Sequence, residues 1–207
     1  MRIITLAAVA FALAPVLVHA APITGGDTVV QVTADLAGFG LTPSLTGTAT
    51  AKSTSPLVVD FPITGGALDR KLAGGILHVG SGVRLNRGGD VFTLSNFTID
   101  TIKQTIFANL GFNDTFFAQQ APVFSFNLAS VSVAQLTDLT SSMLALDFTS
   151  TAAKALETSF GLNVDLTGAQ FGLAATAPKL GTVPEPAAFV LFGLGAAMLG
   201  LVGNRRA

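Results

Sequence analysis

Val91-Phe92-Thr93-Leu94-Ser95-Asn96-Phe97-Thr98-Ile99-Asp100 is the stretch on which the fold turns. Apolar and polar residues alternate in it with period two, the spacing that puts one face of a strand in a core and the other in water. Phe92 and Leu94 are out of phase with Phe97 and Ile99, so a register change is expected at Ser95-Asn96. Upstream, Val30, Val32, Ala34 and Leu36 alternate with Gln31, Thr33 and Asp35, and 45–52 and 57–63 read as two further strands. Two short strands, 76–79 and 83–85, flank Gly80-Ser81-Gly82, and Gly88-Gly89-Asp90 turns into the quoted stretch. Downstream, Ile102, Ile106, Ala108 and Leu110 share a face, as do Phe124, Phe126 and Leu128, and then Leu144, Leu146 and Phe148. A last strand is expected over 164–177, with a phase change near Gly168-Ala169. One helix interrupts the pattern: Ser150 reads as its N-cap, Ala152, Ala153, Leu156 and Phe160 recur at helical spacing, and Gly161 stops it. A short helical turn is expected within 136–143. Glycine turns between closely spaced short strands predict a mainly β fold, an antiparallel β-sandwich or partly open barrel with one short α-helix near 150–160.

Composition narrows the function classes. Between residues 21 and 183 there are eight Lys or Arg against eleven Asp or Glu, a net charge of −3. Nucleic acid demands a basic face, so it is not an expected partner. The chain has no cysteine, so stability rests on packing rather than disulfides. Thirteen of its sixteen Phe lie in 21–183 and it has no Tyr or Trp, which suits a core filler needing no polar partner.

Both ends read as delivery signals. Arg2, the apolar run 3–18 and the small-residue site Val18-His19-Ala20 make a secretory signal peptide over 1–20, to be removed by signal peptidase after entry into the general export machinery. At the other end, Val183-Pro184-Glu185-Pro186 precedes seventeen uncharged residues, 187–203, and a basic tail, 204–207, holding Arg205 and Arg206. A helix of that length reaches about 25 Å, at the short end for a membrane span, and the arginines put the body of the protein outside. The expected organisation is therefore a signal peptide at 1–20, an exported β-domain at 21–177, a linker with the Pro-Glu-Pro motif at 178–186, a transmembrane helix at 187–203 and a basic cytoplasmic tail at 204–207. Those three C-terminal parts together resemble the PEP-CTERM sorting signal of Gram-negative bacteria. The resemblance implies recognition of Pro184, Glu185, Pro186, Arg205 and Arg206 by exosortase, an inner-membrane-anchored precursor, and release to the cell surface or extracellular matrix beside exopolysaccharide.

Catalytic constellations are scarce. The stretch 21–183 has a single histidine, His78, so neither a nucleophilic triad nor a zinc shell can be assembled in the usual way. Asp60, Asp69, Asp90, Asp100 and Asp114 sit near strand ends without an Asp-x-Asp-x-Asp loop and read as solvated turn residues. Phe61-Pro62-Ile63-Thr64-Gly65-Gly66-Ala67-Leu68, Leu72-Ala73-Gly74-Gly75-Ile76-Leu77-His78 and Leu94-Ser95-Asn96-Phe97-Thr98-Ile99-Asp100 resemble the Htaa domain of haem-acquisition proteins. That family holds haem iron through a tyrosine assisted by a histidine; with no tyrosine here, the resemblance leaves His78 as the candidate ligand. A second candidate is the segment 111–120, where Phe112, Phe116 and Phe117 stand among polar residues, either as core or as a loop tip that meets a partner. The sequence thus predicts a non-enzymatic, exported structural or interaction protein associated with exopolysaccharide and needing no cofactor. Binding of haem or another apolar ligand, and an enzyme acting on envelope polysaccharide, stand behind it.

Overall fold

The computed structural model describes residues 20–69 and 71–182. The strands are β1 (Ala21–Val32), β2 (Thr42–Gly47), β3 (Thr50–Thr54), β4 (Leu57–Pro62), β5 (Gly65–Leu68), β6 (Gly74–Arg87), β7 (Asp90–Asp100), β8 (Thr105–Phe112), β9 (Thr115–Ser125), β10 (Leu144–Phe148) and β11 (Gln170–Leu180). Two α-helices, α1 (Val133–Thr137) and α2 (Ser150–Phe160), interrupt them.

The expected sandwich or partly open barrel is corrected. All the strands belong to one 11-stranded sheet running β11-β10-β9-β8-β7-β6-β5-β1-β4-β3, with β2 paired to β6 off that path and β11 returning to pair with β1. The sheet therefore curls until β11, at one end, meets β1 and leaves β4 and β3 beyond the closure, without two facing sheets and without the single unbranched ring of a barrel. β1 is the branch point. Its one edge carries β11 from Ile23 to Val32, while its other edge carries β5 at Ala21 and Pro22 and β4 at 27–31. Alternation reports which face of a strand is buried and is silent on which strand lies beside it, so the sequence could not separate these arrangements.

Bulges supply the curvature. The ladder slips in β1 between Ile23 and Gly25, and in β7 between Ser95 and Thr98, the place where the phase of the phenylalanines changes. The two short strands expected at 76–79 and 83–85 are one strand of 14 residues, bent between His78 and Gly82. The segment 111–120, expected as a connection, is the closing end of a β8–β9 hairpin. Asn113 and Asp114, with φ of 48° and 61°, make the two-residue turn whose double positive φ suits paired strands. β1 begins nine residues before the first alternating valine, held there by β11 and β5, and the polar Thr28, in phase with Val30, hides this extension from the apolar pattern.

Phenylalanine fills the core as its lack of polar atoms allows. Phe124, Phe148 and Phe171, on β9, β10 and β11, gather with ring centroids 4.8 to 5.4 Å apart. α2 presses Ala152, Ala153, Leu156 and Phe160 inward, and Phe160 meets Phe92 and Phe112. Its N-cap is Thr149, one residue before the expected Ser150, because the Thr149 hydroxyl accepts from Ala152 N while donating to the Pro122 carbonyl at 2.6 Å. Gly161 ends it in the left-handed conformation, and Arg87 Nη1 donates to the Phe160 carbonyl at 2.6 Å.

The transmembrane helix expected over 187–203 is not supported, and with it goes the inner-membrane-anchored precursor. Among the described residues no helix is long and apolar enough to cross a membrane, and 187–203 lies outside them. The two α-helices have 5 and 11 residues, about 8 and 17 Å, against a hydrocarbon core of about 30 Å. The signal peptide expected over 1–20 and the basic tail at 204–207 also fall, apart from Ala20, outside the described residues.

Candidate functional site

Two places bring chemistry together. The first is on the surface, where the β8–β9 hairpin stands beside α2. Helical spacing puts Ser150, Thr151, Lys154, Thr158 and Ser159 on the face of α2 opposite its buried alanines, and with Phe112 and Phe117 they line an open groove of about 790 Å³. Phe112 is half-buried against Phe160, whereas Phe117 is 50 % exposed although it leans toward Phe92. Phe116, also 50 % exposed, stands outside the groove lining. The segment is thus both core and contact edge, divided residue by residue. Lys154 is the sole charged side chain lining this groove. The hydroxyl-bearing residues were not singled out by sequence, although the polar stripe Ser150, Lys154 and Thr158 at i, i+4, i+8 beside an apolar helix face was the available signal.

The second place is interior. His78, on β6, is 1 % exposed, and its Nε2 lies 2.9 Å from the Thr28 hydroxyl of β1, a strand with which β6 shares no ladder. Thr28 Oγ1 in turn lies 2.8 Å from Thr176 Oγ1. Burial pulls the imidazole pKa down to about 4, opposed in part by the backbone of Phe97, and Nδ1 has no full hydrogen-bond partner. Phe61 and Phe97 pack edge-on nearby. The space beside the ring measures about 40 Å³, far too little for a porphyrin. The ring is neutral and enclosed, so this geometry offers haem iron no open approach to it.

The strand-end aspartates act locally. Asp69 Oδ1 accepts from the amides of Lys71 and Ala73, and Asp100 Oδ1 from those of Ile102 and Lys103, which hold the Asp100 carboxyl below its usual range. Asp60 pairs with Lys52 at 3.2 Å, Asp114 approaches Arg84 at 4.0 Å, and Asp90 accepts from the Asn113 amide. Among the described residues no group of three or more His, Cys, Asp or Glu is placed to hold a metal ion. Pro184, Glu185, Pro186, Arg205 and Arg206 lie outside the described residues.

Comparison with known proteins resolves the C-terminal signal. The profile of the PEP-CTERM protein-sorting motif matches residues 182–206. No curated protein and no solved structure matches the chain. Nothing found ties it to Htaa-like function. The motif makes this an exported, sorting-tagged surface protein that engages the exosortase export system.

Proposed function

We propose that the β-domain is a non-enzymatic display module that, once sorted, contacts exopolysaccharide at the cell surface or in the extracellular matrix. The observation that carries this reading is the groove between the β8–β9 hairpin and α2. It sets the half-exposed ring of Phe117 beside the hydroxyls of Ser150, Thr151, Thr158 and Ser159. A sugar ring offers an apolar face to an aromatic side chain and hydroxyls to hydroxyls, and an open groove admits a chain without needing its end. Lys154 adds a preference for acidic sugars through a charge-assisted hydrogen bond. Delivery follows the segment order: signal peptidase removes 1–20, 21–177 folds as the exported body, and exosortase reads Pro184, Glu185 and Pro186 beyond the linker at 178–186, with Arg205 and Arg206 behind them.

The test is affinity electrophoresis of the exported protein through gels containing the producing cell's exopolysaccharide. Retardation that falls severalfold in Phe117→Ala and Lys154→Gln supports the reading. Mobility indifferent to the polymer, or retardation unchanged in both variants, removes it.

A further inference from the structure

The curled sheet does not fill its own interior. A cavity of about 140 Å³ lies within it, and Thr28, Val30, Ile99, Ile106 and Leu146 line both this cavity and the small space beside His78. Protein interiors leave few voids larger than a water molecule. A void of this size matches the engineered apolar cavity of about 150 Å³ that stays dry and takes up benzene. Ile76, Ile99, Ile106 and Leu146 are buried and form its wall, whereas Leu72 and Leu128 are part-exposed and Leu180 is 48 % exposed, which marks a mouth toward solvent.

Among the buried lining hydroxyls, that of Thr176 keeps the most unused hydrogen-bonding capacity. The lining threonine Thr101 donates to the Leu72 carbonyl at 2.6 Å, and Thr137 donates to the Val133 carbonyl at 3.0 Å. Thr28 sits between His78 and Thr176. Thr176, 8 % exposed, is the end of that chain, with Thr28 its one side-chain partner. Whichever way the protons run, the terminal hydroxyl keeps either a donor or an acceptor for an incoming atom. No charged side chain lines the cavity, so an ion entering it would lose its hydration without compensation.

We propose that this cavity binds a neutral molecule of about six to eight carbon atoms bearing one hydroxyl or carbonyl, its carbon body against Ile76, Ile99, Ile106 and Leu146 and its oxygen on the Thr176 hydroxyl. The site is separate from the surface groove and stands or falls independently of polysaccharide contact.

Fluorine NMR on the exported protein tests it with three matched probes, 4-fluorobenzyl alcohol, 4-fluorotoluene and 4-fluorobenzoate at pH 7. The alcohol binds saturably at one site, 4-fluorotoluene about fivefold more weakly for want of the hydrogen bond, and the carboxylate at least about tenfold more weakly. Ala174→Leu, which grows into the cavity from its wall, abolishes alcohol binding. Thr176→Val is nearly isosteric and equalises the alcohol and 4-fluorotoluene, which keeps the measurement decisive should Ala174→Leu not fold. No saturable alcohol binding at millimolar concentration, or alcohol binding unchanged in either folded variant, overturns the proposal. Equal affinity of the unaltered protein for the alcohol and 4-fluorotoluene overturns the role of Thr176.

Discussion

Thr28 and Thr176 face each other across the seam where β1 meets β11, register partners whose hydroxyl oxygens lie 2.8 Å apart inside the protein. Backbone ladder bonds close the seam, and this side-chain pair, extended to His78 on β6, ties a third strand to it through the interior.

The centre and the end of that chain carry different costs. Thr28→Val leaves both the His78 Nε2 and the Thr176 hydroxyl without their partner, whereas Thr176→Val leaves the Thr28–His78 bond intact. An orphaned buried polar group costs about 1–3 kcal/mol. Urea unfolding is expected to show a loss of about 2–4 kcal/mol for Thr28→Val and about 1 kcal/mol for Thr176→Val, both at unchanged m-value. Equal losses would show that the three groups do not act as a chain.

His78 makes stability depend on mild acid. Its pKa is about 4 in the folded protein against an ordinary 6.5. As pH falls through 6.5 the unfolded chain takes up the proton and the folded chain does not, so stability falls until the folded state titrates as well near 4. The decline over that window amounts to about 3 kcal/mol. Asp100, Asp138 and Asp165, held below their usual range by local hydrogen bonds, add their loss at lower pH still. Thermal melts between pH 7 and 4 are expected to fall for the natural protein and to flatten in His78→Gln, which starts lower at pH 7. A variant as pH-sensitive as its parent would place the titrating group elsewhere.

Strand content was legible because period two survives wherever a face is buried, and the register change beside Asn96 was legible because the quoted strand is long enough to show both phases. Closure was not. It depends on β1 taking β11 on one edge while dividing the other between β4 and β5, and nothing in the alternation of Val30 and Val32 names a neighbour. Thr28 and Thr176 were missed for a related reason: a polar residue on the inward face interrupts the apolar pattern that locates the face. His78 stood out as the sole histidine of 21–183, but nothing in its surroundings of glycine and serine named Thr28 as its hydrogen-bond partner or placed it at 1 % exposure.

Two glycines with the same backbone separate two kinds of constraint. Gly47 and Gly161 have φ of 67° and 60°, but a Cβ on Gly47 would collide with the Gly80 carbonyl, while one on Gly161 meets nothing within 4 Å. Gly161→Ala incurs the left-handed penalty alone, about 1–2 kcal/mol. Gly47→Ala must also move the β2–β6 ladder where Gly47 pairs with Ser81, and its loss is expected to be larger by about 2 kcal/mol or more. Chemical denaturation of the pair checks this, and equal losses would refute the close backbone approach.

Sorting rests on a different part of the chain from folding, so the two can be broken separately. The matched motif spans 182–206 and contains Pro184 and Pro186. Proline fixes φ and removes a backbone donor, and it disfavours helical geometry in the residue before it, restraints that suit recognition by a processing enzyme. Alanine at both positions lifts these restraints while preserving charge. The expected result is a full-size, cell-associated form that accumulates while the surface fraction falls at least about fivefold, followed by immunoblot of cell and surface fractions. Replacing Arg205 and Arg206 by Gln is expected to act in the same direction. Phe117→Ala, a change on the exposed hairpin edge, serves as the control and should be sorted as the natural protein is. Normal surface arrival of the double proline variant would mean that the motif is not what directs export, whatever the fate of the β-domain it carries.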